Sequence, residues 1–157
     1  DFCTYIEKSG LISQLREPTG GIMALGKVEK IYLDNPVLIH VLGDPMVEIG
    51  TIREAFFFNQ TRLLHRVCSS PAADFLVDGK YTFEVGGKKK KQRQIQGLSD
   101  AFVVKDDIER RYLNVIPLWM FGLKSGFPPL RTRLIQPLLL LRNQIDKVYY
   151  LLGSFCH

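Results

Sequence analysis

The sequence predicts a mixed α/β domain, with one sheet of mixed strands flanked by helices. Three observations predict it. Apolar spacing alternates between helical and two-residue periods, in the order helix, strand, helices, hairpin, helix, strand. Asp78-Gly79 separates two strand-like runs, a strong hairpin signal. A strand–helix–strand step from Tyr81 to Lys105 implies a right-handed parallel crossover beside that antiparallel hairpin. The chain has 157 residues, 46% hydrophobic and 24% charged, which suits one domain or one domain plus a tail. This composition excludes collagen, coiled coil and wholesale disorder.

Phe2 to Leu15 carries Phe2, Tyr5, Ile6, Ile12 and Leu15, broken by Gly10, and reads as the end of a helical element closed by Pro18 and Gly20-Gly21. Val28 to Leu33 is a short strand. Asp34 or Asn35 can cap a helix with Pro36 in its first turn, running to Leu42 and stopped by Gly43. Ile49 to Leu64 is the longest helix, with Ile52, Phe56, Asn59 or Gln60, and Leu63 on related faces. Arg66 to Ser69 is a short strand, followed by the hairpin strands Ala73 to Val77 and Lys80 to Val85. Lys89 to Leu98 reads as a helix and Ala101 to Lys105 as a strand. Val115 to Leu123 is a last strand, which Pro117 assigns to an edge. No repeats are visible.

Three regions follow from this order. Residues 1–27 are the end of a preceding helical region, 28–123 an α/β domain, and 124–157 a linker and apolar terminal helix or tail. Gly126-Phe127-Pro128-Pro129 forms the linker. Leu141, Ile145, Val148 and Leu152 then recur at helical spacing after Pro137. That stretch is either a docking or membrane-surface helix, or a terminal helix packed on the core or a poorly ordered tail. Only Arg142 and Lys147 flank its apolar face, which favours the second. No apolar run approaches the roughly 18 residues of a membrane span. Cys3, Cys68 and Cys156 fit neither a metal spacing nor a disulfide framework, so a reducing, cytoplasmic compartment is expected. Asp1-Phe2-Cys3 has no initiator Met and no leader pattern, and reads as a cut in a longer chain.

The formal net charge is +5. Between Lys80 and Arg93 stand Lys80, Lys88, Lys89, Lys90, Lys91 and Arg93 against Glu84 alone, so this run holds the whole excess. A local cluster of that kind suits phosphate binding, and it equally suits a solvated loop or helix start. No aromatics are interleaved, so base stacking is not suggested. Several other patterns carry no chemistry. Gly21 to Lys27 fits the spacing of a phosphate loop, but Val28 stands where magnesium needs a hydroxyl, and Glu17-Pro18-Thr19 is no strand. Asn59-Gln60-Thr61 matches a glycosylation sequon inside a helix. His40, His65 and His157 form no ligand pair, and no Ser or Cys sits in a nucleophile elbow.

Three acids stand out: Glu54 in the long helix, Asp74 in the first hairpin strand and Glu84 in the second. Two strand carboxylates on one face can hold magnesium, which takes oxygen ligands and keeps its waters, and such an ion can activate water for phosphodiester cleavage. The turn decides whether they share a face. A two-residue loop pairs Asp74 with Phe83 and separates the two acids. An odd loop, such as Val77-Asp78-Gly79, pairs Asp74 with Thr82 and puts Glu84 on the same face as Asp74. It also gathers Phe75, Val77, Tyr81, Phe83 and Val85 on the other face, so the odd loop is expected. The alternative for both acids is a wet polar face with no ligand.

Lys30-Ile-Tyr-Leu-Asp-Asn, Gly50-Thr-Ile-Arg-Glu-Ala-Phe-Phe-Phe-Asn, Ala73-Asp-Phe-Leu-Val-Asp-Gly and Tyr81-Thr-Phe-Glu-Val-Gly-Gly-Lys occur in that order. As an ordered set, from residue 1 to about Leu123, they resemble the C-terminal domain of unknown function of prokaryotic AAA-type ATPases. That domain is similar in fold to the PD-(D/E)XK restriction-endonuclease-like superfamily. The resemblance implies a restriction-endonuclease-like sheet and a catalytic set of Glu54, Asp74, Glu84 and Lys88, with Asp74 and Glu84 binding Mg2+. It also implies an ATP-binding core upstream, in the same parent chain. The superfamily pattern wants Lys two residues after the last acid, and Gly86 stands there. Lys88 has the same parity but lies about 13 Å further along an extended strand, within reach only if the chain turns at Gly86-Gly87. Three functions are therefore expected in competition. One is a nuclease-like accessory domain binding nucleic acid through Lys88, Lys89, Lys90, Lys91 and Arg93, with a degenerate magnesium site. The second is a catalytically silent module that contacts protein or regulates the ATPase. The third is a basic phosphate-binding module without metal, and Gly86 favours the second and third over an active nuclease.

Overall fold

The structure, a computed structural model, describes residues 2–19, 26–42, 47–87 and 95–123. All belong to the first of two units, Asp1–Lys124. The second, Ser125–His157, lies outside the described residues, as do the basic residues 88–91 and 93 and most of the helix expected at 89–98. The described end of that expected helix, Ile95–Leu98, is a turn with Gly97 at φ 86°.

The architecture is mixed α/β. In chain order the elements are α1 (Phe2–Lys8), β1 (Ile12–Arg16), β2 (Val28–Leu33), α2 (Pro36–Leu42), α3 (Ile49–Arg62), β3 (Val67–Ser69), β4 (Phe75–Val77), β5 (Tyr81–Gly86), β6 (Ala101–Lys105), β7 (Val115–Pro117) and a 3-10 helix (Leu118–Gly122). β1 and β2 form an antiparallel ribbon, and β3 to β7 form a second sheet in chain order. Within that sheet β3, β4 and β5 run antiparallel, while β5, β6 and β7 are parallel. β7 is an edge strand, as Pro117 requires. It stops at Pro117, and the expected extension to Leu123 is instead the 3-10 helix, which buries Leu118 and Phe121.

The N-terminal stretch corrects the helical expectation. The helix stops at Lys8, with Gly10 at φ 76° and Leu11 N–H donating to Ile6 C=O at 3.3 Å. Ile12–Arg16 then pairs with β2, from Ile12↔Leu33 to Arg16↔Val28, and buries Ser13, Gln14 and Leu15. Ile12 and Leu15 suit a helical spacing, but pairing with Val28–Leu33 takes up the backbone groups along one edge of the segment, while Gln14 N–H donates to Glu7 Oε1. At α2 the cap is Asn35, whose side-chain oxygen accepts Val37 N–H at 2.9 Å. Asp34 is otherwise engaged, with Ser13 on β1 and Arg62 at the end of α3.

The buried face of α3 also differs from expectation. Ala55, Phe57, Phe58 and Thr61 are buried, whereas Leu63 and Ile49 are exposed. Phe56-Phe57-Phe58 covers more than half the helix circumference, so spacing alone does not say which ring faces inward. The sheet selects Phe57, whose ring centroid lies 5.0 Å from Phe75, 5.2 Å from Phe83 and 4.8 Å from Phe121. Phe56 turns instead toward Gly122, where an added Cβ would meet its ring at 3.2 Å.

The hairpin register is Val77↔Tyr81, Leu76↔Thr82 and Phe75↔Phe83. The connection is therefore odd, made of Asp78, Gly79 and Lys80, with φ 53° at Asp78 and 67° at Gly79. The parity is that of the expected odd loop, moved one residue along, which shifts the register by two. Continued to Asp74, it sets Asp74 opposite Glu84 and not Thr82, on one face as expected. Phe75, Val77, Phe83 and Val85 share the buried face toward α3.

Candidate functional site

The sequence-predicted acids gather at one end of the second sheet, where β4 begins and the parallel strands β5 and β6 end. Carboxyl ends of parallel strands are the usual ligand-binding edge of open α/β sheets. Each acid reaches that end from a different element and is engaged there differently.

Glu54 stands near the start of α3 on the turn facing β2. Its Oε2 accepts the Tyr32 hydroxyl at 2.7 Å and Lys30 Nζ at 3.0 Å. Lys30 and Tyr32 are two apart on a strand and so share a face. Tyr32 is 5% exposed and packs against the rings of Phe58 and Phe75. Burial pushes its hydroxyl far above the ordinary tyrosine range, followed by the hydrogen bond to Glu54 and the negative charges of Glu54, Asp74 and Glu29. Glu54 and Asp74 thus both bear on one buried hydroxyl.

Asp74 sits one residue before β4. Its Oδ2 accepts the Val85 N–H at 2.7 Å, so the carboxylate continues the β5 hydrogen bonding where the β4 backbone has ended. Glu84 is the least expected of the three, since a wet face would leave it exposed and it is 1% exposed. It pairs in register with Val103 on β6. Side chains alternate along a strand, so Glu84 points to the face opposite Phe83 and α3. That face also holds Ile95, Ala101, Val103 and Val115, with Ala73 and Ile108 against them. Glu54 approaches from the α3 side, so the sheet stands between these two carboxylates.

Magnesium fits this arrangement poorly. Glu54 is held by a tyrosine and a lysine, Asp74 accepts the Val85 N–H, and the sheet stands between Glu54 and Glu84. Among the described residues no three His, Cys, Asp or Glu side chains form a group that could hold a metal ion. Lys88, Lys89, Lys90, Lys91 and Arg93 lie outside the described residues, so the structure places the acids but not the lysine of the expected catalytic set.

The same end holds an arginine that sequence reasoning missed. Arg53 Nε donates to Asp106 Oδ2 at 3.0 Å, and the Arg53 side chain is 13% exposed. Asp106 N–H in turn donates to Gly86 C=O at 3.0 Å, fixing the β6 exit against the β5 exit. A Cβ built on Gly87 would lie 3.2 Å from Arg53 Nη1 and 3.4 Å from Cζ and Nη2, so the guanidinium lies against the Gly87 backbone. The only sequence hint was an arginine preceding Glu54. Asp106 is 53 residues away, and nothing local names it as the partner.

A separate cleft of about 310 Å3 lies between Pro18-Thr19 and the hairpin turn, lined also by Arg66, Cys68, Leu76, Asp78 and Gly79. It contains none of the predicted site residues. No helix among the described residues is long and apolar enough to cross a membrane. Compared with known proteins, the chain matches no family model, no curated protein and no solved structure.

Proposed function

We propose that this chain is a nuclease-like accessory domain of a AAA-type ATPase that binds nucleic acid through phosphate contacts and does not cleave it. The carrying observation is where β5 ends. Gly87 leads directly into Lys88, Lys89, Lys90, Lys91 and Arg93, and Gly87 lies against Arg53 at the end of the sheet where Glu54 and Asp74 also sit. The positive excess of the chain therefore follows, in sequence, directly on a residue at the edge where a nuclease-like domain would meet its substrate. The absence of cleavage is supported by Gly86 in the lysine position and by the hydrogen bonds that already engage Glu54 and Asp74. Fluorescence anisotropy with labelled duplexes of unrelated sequence tests the reading. Affinity should be insensitive to sequence. With about five phosphate contacts the log–log salt slope should lie near −4 to −5, and replacing Lys88 to Lys91 with Ala should flatten it by roughly three to four units. A plasmid incubated with magnesium or manganese should stay intact. No binding at low salt, or cleavage lost in Glu84→Gln, would overturn the reading.

A second reading, a silent protein-docking module, has its own observation. α1 has no buried residue and exposes Phe2 and Tyr5, and α2 exposes Val37, Val41 and Leu42. Apolar residues gathered on short helices suit contact with another protein surface. Loss of duplex binding alongside association with the ATPase core of the parent chain would favour it.

A further inference from the structure

We infer that Arg53 is an anion-binding fork for a single phosphodiester group, held ready by Asp106 and Gly87. The inference deepens the nucleic-acid reading and rests on it for the identity of the ligand.

Arginine can offer five donors in a rigid plane, and two parallel ones match two oxygens of a phosphate. At Arg53 only Nε is engaged, by Asp106 Oδ2 at 3.0 Å. Among the described residues neither Nη1 nor Nη2 has a hydrogen-bond partner. An arginine serving only to tie α3 to the end of β6 would gain most by facing the carboxylate with two nitrogens. Here the carboxylate takes the inner nitrogen and leaves the outer pair open. Asp106 is itself anchored through its N–H to Gly86 C=O, so the orienting group is fixed to the sheet.

Gly87 contributes by what it lacks. A methyl group there would press on Nη1 at 3.2 Å, and the guanidinium would have to give way. With glycine the plane rests on the backbone, beside the end of β5. The side chain pays little ordering entropy on binding, because Asp106 and Gly87 already hold it. The fork stands one residue before Glu54 and offers at this edge the cation that Gly86 does not supply.

The test uses the full chain with two probes, a fluorescein-labelled 20-base-pair duplex followed by anisotropy and inorganic phosphate followed by side-chain 15N–1H resonances. Arg53→Lys keeps the charge and can keep the Asp106 pair but loses the fork. It should weaken duplex binding about fivefold with little change in salt slope. Arg53→Gln should lose about 0.9 of that slope, one phosphate contact. Gly87→Ala, which leaves Arg53 itself intact, should weaken binding about threefold while the thermal unfolding midpoint stays near wild type. Phosphate should shift the Arg53 guanidinium resonances in wild type. If Arg53→Lys and Gly87→Ala bind within twofold of wild type and phosphate leaves those resonances unmoved, the fork is refuted. If the lysine-run variant loses duplex binding and Arg53→Lys does not, the nucleic-acid reading survives and Arg53 is only a tether. If wild type binds no duplex, that reading fails, and the phosphate titration alone decides whether Arg53 takes an anion.

Discussion

The bond between Tyr32 and Glu54 offers a measurable test of what the helix acid does. Tyr32→Phe removes one hydroxyl from a ring that is 5% exposed, and Glu54→Gln removes the charge it donates to across 2.7 Å. A hydrogen bond to a charged group contributes about 1.5 to 3 kcal/mol. The Glu54 side chain is 22% exposed, which places the bond at the lower end, about 1.5 kcal/mol. Lys30 is 43% exposed, so its pair with Glu54 should contribute about 0.5 kcal/mol or less. Urea unfolding of the two single variants and the double variant should give a coupling of about 1 to 2 kcal/mol. The Lys30→Met and Glu54→Gln cycle should give less than about 0.5 kcal/mol. The pH dependence adds a second handle. The folded state raises the Tyr32 hydroxyl above its unfolded value, so its contribution is complete below about pH 10. Above that pH the unfolded chain ionises first, and stability should fall by about 1.4 kcal/mol per pH unit from this group. Tyr32→Phe should remove that share of the alkaline slope. A coupling below about 0.3 kcal/mol, or an unchanged alkaline slope, would refute the reasoning. Magnesium that stabilises wild type and not Glu54→Gln would make Glu54 a ligand, against the present reading.

Phe57 touches three other rings at full burial, so Phe57→Ala should cost about 3 to 5 kcal/mol, read as a lower urea midpoint, while Phe57→Leu should cost clearly less. Gly79 has φ 67° with open space around it, so Gly79→Ala should cost about 1 kcal/mol through backbone strain alone, visible in the same unfolding assay. The chain should show no magnesium-dependent ATPase activity, and Lys27→Ala should change nothing, because Val28 replaces the metal-binding hydroxyl. A phosphate-release assay checks this, and activity abolished by Lys27→Ala would contradict it.

Features set by neighbours in the chain were legible in the sequence. Pro36 after Asn35 announced the start of α2, and the Asn35 side chain caps it. The alternation through Phe75, Val77, Phe83 and Val85 selected an odd hairpin connection, and Pro117 put its strand at an edge. Each rests on a local rule: a side chain that reaches its own backbone, a period of two, or a missing N–H. Features that depend on remote partners were not legible. Ile12–Arg16 is a strand because Val28–Leu33 lies beside it, although its own spacing also suits a helix. Phe57 faces inward in place of Phe56 because Phe75, Phe83 and Phe121 lie there. The acids were recognisable as residues, but their partners were not. Lys30 and Tyr32 lie more than twenty positions before Glu54, and Asp106 lies 53 after Arg53. Glu84 is buried because β6 sets Val103 beside it and Ile95 and Val115 complete that face. Spacing along a chain fixes which side chains share a face. Which surface covers that face, and which charge meets a given carboxylate, is decided only when distant segments pack and exclude water.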